Sequence, residues 1–213
     1  MAGDRGMASD KTVVVTLLDP LATADDVKQL AATARQQGMG ICVEPSLLHA
    51  IDAATEHAEQ FPVVSWAGYP TGKHHVLIKA SEARLAVQSG ATMVIYVPDP
   101  ASLIHTTGAA FIGEIVAARE AVPHPAQLAV LVDDTLLGEE LRARAHEWLA
   151  KVGVDAVVSY SVGDHEKSGI PLYVLCDISE APVHKAAGAH GVLVTGLYAW
   201  GLPVAGPSLC LAR

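Results

Sequence analysis

Apolar residues occur along this chain in two rhythms. Eight short runs carry few or no polar breaks: TVVVTLL, GICV, FPVVSWAG, MVIYV, AQLAVLVD, DAVVSYS, PLYVLCDI and GVLVTG. They predict strands near residues 12–18, 39–45, 61–68, 92–98, 126–132, 155–161, 171–178 and 191–196. Strands this continuously apolar are buried on both faces, which describes a parallel sheet covered by helices. Between the runs the apolar spacing lengthens to three and four. Thr23 with Asp25 and Asp26 predicts a capped helix that buries Val27, Leu30, Ala31 and Ala34, and Leu137, Leu141, Ala145, Trp148 and Leu149 line a second helix over 136–152. Four of these segments end in a glycine, Gly38, Gly90, Gly153 or Gly188, just before a strand, where a left-handed residue closes a helix.

The repeated unit is therefore helix, glycine, strand. Eight such strands suit a (β/α)8 TIM barrel, and a doubly wound sheet shares the local pattern. The connection VGDHEKSGI, residues 162–170, is too short for an ordinary crossover, so the sixth helix is expected to be missing or vestigial. Nothing marks a linker. The expected organisation is a flexible tail over residues 1–11 and a single compact barrel domain over 12–213.

Charge narrows the partners. A net charge of -9 with no basic run argues against nucleic acid. Cys42, Cys176 and Cys210 lack metal-ligand spacing and read as reduced thiols in a cytoplasmic protein. Residues 191–212 carry no formal charge, but four glycines, Pro203 and Pro207 interrupt them, so a strand and an irregular cap explain them better than a membrane span.

Several segments then resemble one family. TLLDPLAT, ICVEPS and above all GYPTGKHHVLIKASEARLAVQSGA are similar to the segments TLLKP, VCVNPS and GFPxG…KxxEAxxAxxxGA of the 2-deoxyribose-5-phosphate aldolases, and LVDDTLLGEE and GVDAVV continue the match in order. The resemblance implies a (β/α)8 barrel and a carbon–carbon lyase that cleaves deoxyribose 5-phosphate through a lysine Schiff base. It also implies a second lysine and a proton-relaying aspartate. Carried over residue by residue, it puts Val158 at the Schiff-base lysine, Tyr173 near the second lysine and Ile95 at the aspartate relay. Val14 stands for the strand-one aspartate, and Ala129 for the strand-five lysine. The phosphate-binding glycines after strand seven are also replaced. Valine cannot form an imine. None of the seven lysines falls on a predicted strand, and Lys79 with Glu82 reads as a scaffold ion pair at i, i+3 on a helix surface. Lys73, His74 and His75 sit in the loop after strand three, either solvated or at the functional rim.

Carboxylates mark the predicted mouth: Asp19, Glu44, Asp99, Asp133, Asp134 and Asp177. Either they shape loops, as aspartate does after strands, or Glu44, Asp133 and Asp177 converge on Mg²⁺ or Mn²⁺. Tyr160, Tyr173 and Thr195 complete the candidate pocket. Two functions are compatible with this set. One is an aldolase homologue without Schiff-base activity, a pseudoenzyme that binds a metabolite or a protein partner, with a homo-oligomer left open. The other is a lyase acting on a small phosphosugar or aldehyde by metal-assisted chemistry.

Overall fold

A computed structural model of the chain describes residues 12–51, 61–104, 107–163 and 168–195. Eight parallel strands close into a barrel in chain order. They are β1 (Thr12–Leu17), β2 (Gly40–Val43), β3 (Val63–Ala67), β4 (Met93–Tyr96), β5 (Gln127–Leu131), β6 (Ala156–Ser159), β7 (Leu172–Asp177) and β8 (Gly191–Thr195). Every predicted strand is present, each shorter than its predicted span. Closure between β8 and β1, with Val14 beside Leu193, decides for the barrel over the doubly wound sheet.

The outer layer holds α1 (Ala24–Gln36), α2 (Val76–Gln88), α3 (Ala109–Ala121), α4 (Glu139–Val152) and α5 (Ala181–Ala186). Helix α1 starts as its capping residues predict. The Thr23 Oγ1 accepts from the Asp26 N–H at 3.3 Å while the Asp26 carboxylate accepts from the Thr23 N–H at 2.8 Å. Helix α4 begins three residues later than its periodicity predicts. The Asp133 carboxylate accepts from the N–H groups of Thr135 and Leu136, holding this stretch in a turn ahead of the helix. All four helix-closing glycines have positive φ, as expected. In the sixth connection none of the described residues is α-helical. The expected N-terminal tail, Cys210 and most of the uncharged 191–212 stretch lie outside the described residues. No described helix is long and apolar enough to cross a membrane.

Alternation along each strand divides the core into two layers. Val14, Cys42, Val64, Trp66, Met93, Ile95, Ala129, Leu131, Val158, Tyr173, Leu175 and Leu193 fill the barrel. The opposite faces, including Val15, Ile41, Val94, Val130, Val174 and Val192, pack beneath the helices.

Candidate active site at the barrel mouth

In a barrel of this kind the loops after the strands build the functional face. Here four strand ends, those of β1, β4, β5 and β7, are organised by a carboxylate. Asp19, Asp99, Asp133 and Asp177 each accept a hydrogen bond from the backbone N–H two residues on, at Leu21, Ala101, Thr135 and Ser179, over 2.8–2.9 Å. These are Asx turns, and they direct the carboxylates along the rim. Asp134 reaches sideways to the end of β6, accepting from the Tyr160 N–H at 2.9 Å and from the Ser161 hydroxyl. Burial pushes the Asp134 pKa up, but the Ser161 hydroxyl and the Tyr160 N–H outweigh it and hold the group below the usual carboxylate range. Asp177 is held low by the Ser179 hydroxyl and N–H.

Glu44 is different. Its side chain makes no capping hydrogen bond to the turn that follows, unlike the aspartates, and burial raises its pKa, with the neighbouring Asp19 adding to the rise. Among the described residues no three His, Cys, Asp or Glu side chains gather where they could hold a metal ion. Glu44, Asp133 and Asp177 keep inward parity on β2, β5 and β7, yet the structure does not bring them together. Two of the three are drawn into their own turns. The expected convergence overlooked that an aspartate after a strand has a backbone donor within reach, two residues ahead.

The other candidate residues separate by height. Tyr160 packs against the top of the interior cluster, and Thr195 donates to the Cys176 carbonyl at 3.3 Å. Tyr173 lies at the floor. Its ring meets His190 edge-on, centroids 5.5 Å apart, and a Cβ on Gly191 would stand 2.4 Å from it. That close approach explains the glycine at the start of β8. Val14, Ile95, Ala129 and Val158 all face into the barrel and are almost completely buried. Val158 thus points inward on strand six, as the alignment with the family requires.

Beside β1, β2 and β3 polar atoms survive inside the barrel. The Cys42 thiol, with Trp66 and Thr16 beside it, is pushed up to about 12 by burial, against the opposing pull of both neighbours. The buried Trp66 Nε1 and Thr16 Oγ1 find no nitrogen or oxygen partner among the described residues. Tyr69 packs against Trp66 with its ring tilted by 48° and the centroids 4.8 Å apart. No spacing in the sequence marked this group, because a single Thr, Cys or Trp within an apolar run reads as core.

The stretch GYPTGKHHVLIKASEA corrects another expectation. Lys79 does not pair with Glu82 on an exposed helix face. It is 1% exposed and forms an ion pair with Glu114 of α3, while Glu82 accepts from the Gly68 N–H at 2.7 Å. Lys79 Nζ also donates to the carbonyls of Gly72 and Val97, at 2.5 and 3.0 Å, and stands 5.0 Å over the Tyr96 ring. Gly68, at φ 80°, leaves room for the lysine stem, which a Cβ there would meet at 2.4 Å. The lysine therefore fastens the loops after β3 and β4. Signals were present: Glu114 is the single charge in AAFIGEIVAA, and helical spacing puts it with Phe111, Ile115 and Ala118. Lys73 pairs with Asp99 at 2.5 Å, and His75 Nδ1 caps α2 by accepting from the Leu77 N–H, so two of that trio serve the scaffold.

No protein-family model matches the chain. Among curated proteins, the deoxyribose-phosphate aldolase of Nocardia farcinica is 35% identical over 182 residues, covering 85% of this chain and 77% of that protein. The deoxyribose-phosphate aldolase of Corynebacterium jeikeium is 38% identical over 72% of this chain, a match that spans 64%, just under two thirds, of that protein's length. Among solved structures, the aldolase QR15 superposes with a TM-score of 0.78 at 18% identity, covering 88% of this chain and 91% of its own. The tetrameric deoxyribose phosphate aldolase of Aeropyrum pernix superposes with a TM-score of 0.73 at 21% identity, covering 86% and 85%. At those identities the structural likeness speaks to the fold, while the curated relatives carry the kinship: this chain belongs to the deoxyribose-phosphate aldolase family.

Proposed function

We propose that this member of the family does not run Schiff-base chemistry and acts as a metabolite-binding barrel. The observation that carries the reading is the interior itself: Val14, Ile95, Ala129, Val158 and Tyr173, at the positions the resemblance assigns to charged catalytic groups, all pack inside the barrel. A Schiff-base lysine must project into a walled site where its pKa falls. Among the described lysines, Lys79 is committed to Glu114 outside the barrel, and Lys28, Lys73 and Lys151 carry surface ion pairs. The relatives bear the name of an aldolase, and the departure lies in these few interior positions rather than in the fold.

The ligand favoured by the mouth is small and carries no phosphate. Where the family has phosphate-binding glycines, this chain has Asp177 and a segment leading to Glu180, and a phosphate dianion there would meet like charge. Tyr69, Tyr160 and Leu18 supply apolar and aromatic contacts around the opening. The tetrameric neighbour makes a homo-oligomer the expected assembly. The decisive experiment is borohydride reduction in the presence of acetaldehyde or deoxyribose 5-phosphate, read by intact mass spectrometry. The expected result is no covalent adduct. A stoichiometric adduct mapped to a barrel residue would overturn the reading and restore ordinary aldolase chemistry.

A further inference from the structure

Two pairs of charges on α4 join along the helix, Glu140 with Arg144 and Glu147 with Lys151, each at i, i+4. Glu139 and Arg142 do not. They stand at i, i+3, near enough to pair, yet neither side chain makes a hydrogen bond or an ion pair among the described residues. Both instead line a groove of about 560 Å³, a volume typical of small-molecule sites. Ala143, His146, Glu147, Ala150 and Lys151 continue the α4 wall, and Asp134, Ser161, Gly163 and Ser168 form the wall opposite.

The groove follows from the short sixth connection. In a (β/α)8 barrel the helices form a ring, so each lies between two others. Helix α4 packs against α3 on one side. On the other, residues 162–170 are too few to supply a full crossover helix, and α4 is left with a face at the side of the barrel. From Glu139 to Lys151 that face runs roughly 18 Å along the helix. Ala143 and Ala150 are exposed on it, and the aliphatic stems of Glu147 and Lys151 add apolar surface beside them.

Charge then selects the ligand. Asp134, Glu139 and Glu147 would repel a phosphate dianion, and Arg142 would repel a polycation. A zwitterion satisfies both leftover groups. Side chains at i, i+3 start about 5–6 Å apart, and an α-amino acid carries its ammonium and carboxylate on one carbon, so one helix turn holds both ends of that head group. The guanidinium meets a carboxylate with two parallel N–H donors. We propose that the groove between α4 and the sixth connection binds a free α-amino acid with an apolar side chain, its carboxylate on Arg142 and its ammonium on Glu139. The side chain then lies along Ala143 toward Ala150. This site is outside the barrel and does not depend on whether the interior forms a Schiff base.

Isothermal titration of the full chain with L-leucine and with L-phenylalanine tests it. At least one of the two should bind with one-to-one stoichiometry. The corresponding amine and the corresponding carboxylic acid, each lacking one charge, should bind about tenfold more weakly or worse, and Arg142→Met and Glu139→Gln should each weaken binding of the amino acid by a similar factor. Neither variant removes a contact within the described fold, so the melting temperature without ligand should match the wild type. Glu140→Gln, one residue away but outside the groove, should bind as the wild type does. Failure of both amino acids to bind would overturn the proposal. So would equal binding of the singly charged analogues, or binding that survives both groove variants, since the ligand would then sit elsewhere on the molecule.

Discussion

The barrel interior and the seam between α2 and α3 have exchanged their expected chemistry. At the centre, where the family resemblance calls for charge, Ile95, Ala129 and Val158 are packed like any core. In the outer layer, where helices ordinarily meet through apolar side chains, Lys79 and Glu114 form a buried ion pair. Desolvating two charges costs several kcal/mol per ion, and their attraction with good hydrogen bonds only about repays it. Such a pair is a weak source of net stability. What it supplies here is position, since Lys79 Nζ reaches the carbonyls of Gly72 and Val97 and the Glu114 carboxylate faces the Asp99 N–H. The comparison separates two uses of burial: the interior excludes water, and the helix seam holds two rim loops at a fixed place.

Adding charge to the apolar region should have the largest effect. Val158→Lys puts an amine into a closed apolar interior, where burial can lower a lysine pKa by 3–5 units, equivalent to roughly 4–7 kcal/mol when the amine is charged. Because the folded pKa then lies below the unfolded one, the loss is complete below the folded pKa and disappears as pH rises through the unfolded value near 10. Urea unfolding from pH 6 to 10 reads this directly. A variant as stable as the wild type at pH 6 would mean that water already reaches the barrel centre.

Removing one charge from the seam comes next. Glu114→Ala should cost about 3–5 kcal/mol by stranding the Lys79 ammonium, while the double variant Lys79→Met/Glu114→Leu should recover most of that. A double variant no better than the single one would show that the carbonyl contacts of Lys79, rather than its charge pairing, are what the fold requires. Chemical denaturation at neutral pH measures both.

The rim should respond least. Asp134→Asn should lose about 1 kcal/mol, kept small because the carboxylate is only part-buried. The folded Asp134 pKa is depressed, so its stabilisation is present above the unfolded value near 3.9 and is lost as pH falls through the folded pKa. Glu44 has the opposite sign. Its folded pKa is raised, so the stability it contributes is present below its unfolded value and lost as pH rises through the folded one. Thermal melts of wild type and Asp134→Asn should converge toward low pH, and a constant gap at every pH would assign the effect to shape rather than charge.

Much of the fold was legible because strands and helices impose periods on the chain. A strand buried on both faces must be apolar throughout, and eight such runs separated by capped helices leave few architectures. Interior parity was legible for the same reason. A strand alternates strictly, so once Val158 is matched to the family's lysine position, Ala156 and Tyr160 share its side. The choice of barrel over open sheet was not local. It rests on the pairing of β1 with β8, residues some 180 positions apart, which no window of sequence contains. The rim carboxylates were visible as residues but not as a geometry, because each aspartate turns toward the N–H two residues ahead or, for Asp134, toward a neighbouring strand. Lys79 shows the limit most plainly. Its sequence neighbour Glu82 sits at ion-pair spacing on the same helix, yet helix rotation against the barrel carries Lys79 inward to Glu114, 35 residues away. Local periodicity determines which residues share a face, and only the packing of that face against its neighbours decides which charges meet.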